Sequence, residues 1–146
     1  MAKFPSLTKE QLEHACEVWQ KRLRLQDWDI DIEVCRHWEI DSQGSCRVSP
    51  ELKWACIRIQ EVSDSEGDTK AHYDMEHTLL HEMLHIQFDA VVQDYSHSIR
   101  VSPGSVTTDV SPRTIALEQA FCSITPWLMF TGRVIPLEVS HGKPDR

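Results

Sequence analysis

The sequence predicts an α+β fold in which a small three-stranded sheet packs on three helices. Three observations predict it. Apolar residues recur at helical spacing behind a capping pattern near the N-terminus, two segments alternate apolar and polar residues with period two, and two later segments carry apolar residues at helical spacing. With 146 residues, 40% of them apolar, the chain suits one domain with a core large enough to fold without staples. Residues 1–146 therefore form a single domain, with its core at about 8–130 and a C-terminal tail over 131–146.

The first helix is expected from about residue 8 to 25. Thr8 and Gln11 have the form of a capping box, and Leu12, Ala15, Cys16, Trp19 and Leu23 follow at helical spacing. Trp28-Asp29-Ile30-Asp31-Ile32-Glu33-Val34 then alternates as a half-buried strand does, with its acids on a solvated face. A polar turn near Asp41-Ser42-Gln43-Gly44 leads into a short strand around Cys46 to Val48, and Trp54 to Ile59 alternates again. These strands make an antiparallel or mixed sheet.

Residues 63–68, Ser-Asp-Ser-Glu-Gly-Asp, lack the register and distal Glu of a calcium loop and read as solvated. A long helix is expected from about 70 to 94, then a loop containing Ser102-Pro103-Gly104. Ser111 and Pro112 supply a cap and a first-turn proline for the third helix, which Thr125-Pro126 should end or kink.

Charge and composition exclude several classes. The net charge is −8 and the 15 basic residues form no cluster longer than Lys21-Arg22-Leu23-Arg24, so neither nucleic acid nor an anionic membrane is an expected partner. The first residues, MAKFPSLTKE, lack the apolar run of a secretory signal, and no run of apolar residues is long enough to span a bilayer. The cytoplasm is the expected compartment. Five cysteines without a C-x-x-C pair argue against a disulfide framework or a thiolate knuckle, and most are expected to be buried and reduced.

The chemistry-bearing signal is His81-Glu82-Met83-Leu84-His85. Residues four apart share a helix face, so His81 and His85 can aim two imidazoles at one ion while Glu82 stands beside them as a base for a bound water. Leu80, Leu84, Phe88, Val91 and Val92 form an apolar arc with His81 at its edge, which places the motif at the border of the core.

Catalytic zinc takes three protein ligands and leaves a place for water. The metzincin arrangement is excluded, because Val91 stands where its third His would be and Phe88 where it has Gly. Asp89 lies too far along the same helix. Asp94, His97, Asp109, Glu118, Glu138 and His141 remain, and Glu118 is favoured: Leu117, Phe121, Ile124, Leu128, Ile115 and Cys122 surround it on the helical projection. A carboxylate among apolar residues wants a counter-charge.

Leu25-Gln26-Asp27-Trp28-Asp29-Ile30, Ala55-Cys56-Ile57-Arg58-Ile59, Thr78-Leu79-Leu80-His81-Glu82-Met83-Leu84-His85 and Ile115-Ala116-Leu117-Glu118-Gln119-Ala120 follow one another in an order that resembles small gluzincin-type zinc metallopeptidases, including single-domain phage and prophage forms. The resemblance implies a minimal zincin-like core with the motif on its central helix and one Zn2+ per chain held by His81, His85 and Glu118. It also implies Glu82 as general base and a peptide or protein substrate. For the electrophile that such enzymes often carry, Tyr95 and His97 are candidates, and His77, one turn before His81, is a second-shell candidate. The strand from Trp54 to Ile59 is expected to offer a free edge to an extended peptide.

Two other readings compete. Cys46-Arg47-Val48-Ser49-Pro50-Glu51 with His81-Glu82-Met83 resembles peptide deformylases, with Cys46 as third ligand, although no Glu-Gly-Cys triplet and no Gly-x-Gly-Leu-Ala segment is present. A zinc-bearing binding or regulatory module would need a closed four-ligand site, and Glu82 is superfluous to it.

Overall fold

A computed structural model describes residues 4–36, 38–62, 73–96 and 112–137. In chain order these build α1 (Lys9–Arg22), β1 (Asp29–Cys35), β2 (Gly44–Ser49), β3 (Trp54–Gln60), α2 (Met75–Ser96) and α3 (Pro112–Gly132), with one 3-10 turn at Pro50–Leu52. The described residues form an α+β fold of three helices with one mixed three-stranded sheet. No described helix is long and apolar enough to cross a membrane. The acidic loop at 63–68, the loop around Pro103, the Ser111 cap and His97 lie outside the described residues.

At the start of α1, the capping box forms as its sequence predicts: the Gln11 N–H donates to Thr8 Oγ1 at 3.2 Å and the Thr8 N–H to Gln11 Oε1 at 2.9 Å. The helix stops before residue 25 because Arg24 turns left-handed, with φ 57. Leu25 N–H then reaches Gln20 O at 2.8 Å and Arg24 N–H reaches Lys21 O at 3.3 Å, a Schellman ending made without glycine. Leu12, Ala15, Cys16 and Trp19 are its buried stripe.

The sheet order is β1-β3-β2, with β1 parallel and β2 antiparallel to β3. This corrects the expectation of a free edge on the Trp54 strand: β3 is the middle strand, hydrogen-bonded on both sides, and the edges belong to β1 and β2. The reason lies in burial, since Ala55, Ile57 and Ile59 are all fully buried, and a strand so covered takes the centre. On the outer face Asp29, Asp31 and Glu33 are exposed as expected. Asp31 accepts a hydrogen bond from Trp54 Nε1 at 2.9 Å, and Glu33 pairs with Arg58 at 3.4 Å.

Against the other face lies α2, which also touches α1 and α3. Met75, Leu79, Leu80, Met83, Leu84 and Ile86 are buried, more of the helix circumference than one amphipathic stripe covers. It starts at Met75, not near 70, because Asp74 caps it: His77 N–H donates to Asp74 Oδ1 at 3.3 Å and Thr78 N–H to Asp74 O at 3.1 Å.

Of the two outcomes expected at Thr125-Pro126, a helix end does not occur: α3 runs through Pro126 to Gly132. The proline removes one donor, but the carbonyl it would have served belongs to Cys122 on the exposed side, open to water. On the other side, fully buried Thr125 turns its hydroxyl to Phe121 O at 2.7 Å.

Of the residues expected as a C-terminal tail, 131–132 belong to α3 and 133–137 pack back on the start of α2. Glu76, fully buried in the first turn of α2, accepts from Trp19 Nε1 at 3.0 Å, Val134 N at 2.7 Å and Ile135 N at 2.8 Å. Arg133 pairs with Asp74 and stands 3.8 Å from Glu76. A carboxylate that would be costly to bury alone is thus satisfied by the segment it anchors.

Candidate metal centre

His81, Glu82 and His85 project from the middle of α2, and Glu118 from α3, into a cavity of about 620 Å³ also lined by Gly44, Cys46, Val48, His77 and Cys122. Every second residue of β2 contributes, as the pleat requires. The cavity lies between the edge strand and the two helices.

Glu118 reaches both motif imidazoles although it stands 37 residues beyond His81. Its Oε2 is 3.1 Å from His81 Nε2, and its Oε1 is 2.7 Å from His85 Nε2. Phe121, buried one turn beneath, meets both rings edge-on, with centroids 5.8 Å from His81 and 4.9 Å from His85 at nearly right angles. The rings are thereby held in orientation by packing as well as by the carboxylate.

Glu118 is not enclosed by the apolar residues around it on the helical projection. Ile115 and Ile124 are exposed and so is Cys122, and the Glu118 side chain itself is 43% exposed. The buried stripe of α3 is Phe121, Thr125 and Met129. Glu118 sits at the mouth of the cavity, and the two imidazoles, not an apolar shell, are what it answers to.

Glu82 is the buried carboxylate of the site, at 8% exposure. No hydrogen bond to its side chain is found among the described residues. Burial first, and the neighbouring Glu118 charge second, push its carboxyl up to about 7. Gly44 makes room for it: a Cβ there would stand 3.2 Å from Glu82 Oε1 and 2.6 Å from the Thr78 methyl. His77 is half-buried on the cavity wall, and burial holds its imidazolium form down while Asp74 opposes this.

The ligand atoms of His81, Glu82 and His85 lie within 4.8 Å of one another, and so do those of His81, Glu118 and Cys122. His81, His85 and Glu118 do not form such a group with one donor atom each, because Glu118 meets the two imidazoles through different oxygens, Oε2 at 3.1 Å and Oε1 at 2.7 Å. Two nitrogens and a carboxylate are ordinary zinc ligands by type, and a carboxylate that bridges the pair through both oxygens suits them. A donorless buried carboxylate beside them wants a cation or water.

Cys46 lines the cavity but belongs to neither group. Tyr95 lies in the last turn of α2, with no side-chain position described. Cys122 was legible from its spacing, one turn after Glu118, but reading the cysteines as mostly buried hid it. Only Cys16 and Cys35 are buried, and none of the five is in a disulfide. No protein family matches this sequence, and no curated protein or solved structure matches it. The functional reading therefore rests on the residues of the cavity themselves.

Proposed function

We propose that this chain is a zinc-dependent hydrolase of the metallopeptidase kind, with one zinc per chain held by His81, His85 and Glu118. The observation that carries the reading is the approach of the Glu118 carboxylate to both imidazoles of the helical pair. Bound there, zinc supplies Lewis acidity and makes a water nucleophilic near neutral pH. On this reading α2, α3 and the sheet are a minimal zincin-like core.

The chain's own groups supply the rest. Glu82, the buried carboxylate on the cavity, would take the proton of the attacking water at a carboxylate oxygen and deliver it to the leaving amine. Phe121 fixes the imidazole planes. Strand β2 has its outer edge unpaired among the described strands and lines the cavity through Gly44, Cys46 and Val48. An extended peptide adding to that edge brings its backbone alongside Glu82.

Digestion of a peptide library by the zinc-loaded protein, with products read by mass spectrometry, tests the proposal. Cleavage that is lost on Glu82→Gln supports it. A metal-loaded, folded protein that cleaves nothing across such a library, both as wild type and as Cys122→Ser, overturns the hydrolase reading while leaving the metal centre standing. The deformylase-like alternative has no comparable support, since Cys46 joins neither ligand group.

A further inference from the structure

Cys122 stands on α3 one helical turn beyond Glu118, so the two side chains share a face. Its Sγ, a ring nitrogen of His81 and a carboxylate oxygen of Glu118 all lie within 4.8 Å of one another, and its side chain lines the same cavity. Donor atoms around a four-coordinate zinc with one sulfur stand about 3.3 to 3.7 Å apart. Cys122 is exposed, so its side chain has the rotamer freedom to approach that spacing. Glu82, 8% exposed, lines the same cavity with no hydrogen-bond donor to its carboxylate among the described residues, a second observation that points to a ligand there.

We propose that Cys122 is a fourth, displaceable ligand of this centre, and that the state of its sulfur sets whether the centre is closed or open. The proposal rests on the zinc reading above. His81, His85, Glu118 and the Cys122 thiolate would together supply four donors, the number that structural zinc sites use, and would leave no position for water. Because Cys122 is exposed, a low-molecular-weight disulfide can reach it.

The thiolate then attacks one sulfur of that reagent: a new S–S bond forms to Cys122, the reagent's S–S bond breaks, and its other half leaves as a thiolate. Cys122 is oxidised and the departing half is reduced, so no other oxidant is needed. The mixed disulfide is a poor ligand, and three protein ligands remain. A reducing thiol reverses the exchange.

The test uses the full chain loaded with cobalt(II) in place of zinc. A thiolate ligand gives an intense near-ultraviolet charge-transfer band that nitrogen and oxygen ligands do not. The expected result is a band in the wild type that persists in Cys46→Ser and disappears in Cys122→Ser, with about one metal still bound in each. Glutathione disulfide should abolish the wild-type band with metal retained, and dithiothreitol should restore it.

Alkylation of Cys122, followed by mass spectrometry, should slow by about tenfold or more when zinc is added. One bound cobalt without a band, or a band that survives Cys122→Ser, overturns the proposal and leaves the His, His, Glu centre intact. Metal-free protein under metal-replete conditions overturns the zinc reading and this proposal together.

Discussion

The backbone of Gly44 lies directly against Glu82: a Cβ built on it would stand 3.2 Å from both Cγ and Oε1 of that carboxylate. The first residue of β2 and the buried acid of α2 are therefore packed as one unit, and the strand edge and the candidate base are set relative to each other by the absence of a side chain.

Gly44→Ala should accordingly damage both stability and the site. The added methyl meets the Thr78 methyl at 2.6 Å, and Thr78 is a buried, β-branched residue in a helix with little freedom to turn away. Overpacking of this kind costs about 1–3 kcal/mol. Urea denaturation should show the loss, and Thr78→Ser in the same chain should restore roughly half of it by removing the clashing methyl. An unchanged midpoint in Gly44→Ala would show that β2 moves freely and does not fix Glu82.

Glu82→Gln should keep the fold and the metal but lower any hydrolysis by at least about a hundredfold, since an amide cannot accept the proton. Metal-free protein gives a second readout. The Glu82 carboxyl rises from an ordinary 4.5 to about 7 on folding, so between these values the native state binds more protons than the unfolded state. Its protonation therefore favours folding below pH 4.5, and that advantage is lost as pH climbs through 7, a swing on the order of 3 kcal/mol. Glu82→Gln should flatten this part of the stability profile; a profile of unchanged slope would remove the argument for a desolvated carboxylate.

Short-range rules made much of this legible. Thr8 and Gln11 announced a helix start, and the alternation of Asp29 to Val34 and of Trp54 to Ile59 announced strands, because caps and pleats are decided by neighbours in sequence. The His81, Glu82 and His85 face followed from helix geometry alone. What failed depended on distant partners. Nothing within Trp54 to Ile59 says that β1 and β2 flank it, nothing near Glu76 says that Val134 and Ile135 will donate to it, and the Schellman ending at Arg24 has no glycine to betray it. The apolar arc around Glu118 is buried at Phe121 but exposed at Ile115, Ile124 and Cys122, and the position of Glu118 becomes intelligible only with α3 beside α2.

The Glu76 anchor is testable by itself. Three donors converge on a fully buried carboxylate, so Glu76→Ala leaves them orphaned over a cavity and should cost about 3–5 kcal/mol. Glu76→Gln, which keeps the shape but turns an N–H toward a backbone donor, should cost about 1–3 kcal/mol. Chemical denaturation measures both, and limited proteolysis should cut near residue 133 sooner in either variant. If Glu76→Ala were as stable as the wild type, the bonds from Val134 and Ile135 to Glu76 would not anchor residues 133–137.

The final prediction separates a metal centre from a cluster of two histidines hydrogen-bonded to a carboxylate, which would give similar geometry without an ion. A ligand that binds only the folded state stabilises it by RT ln(1 + [L]/Kd), about 4 kcal/mol when zinc stands at a thousand times Kd. For a domain of this size that is a rise in melting temperature of roughly 8–16 °C. Wild-type protein stripped with a chelator should therefore melt lower and recover on adding zinc. His81→Ala, His85→Ala and Glu118→Ala should each lose most of that increment, because removing one of three ligands weakens the site severely. Glu82→Gln should retain it, since that residue acts on water and not on the ion. Without an ion, the ordering changes: zinc shifts nothing, and Glu118→Ala alters the melting temperature equally with and without chelator. Differential scanning calorimetry of these five proteins, each run with and without zinc, tells the two apart by the interaction between substitution and metal, which no purely structural role of Glu118 can produce.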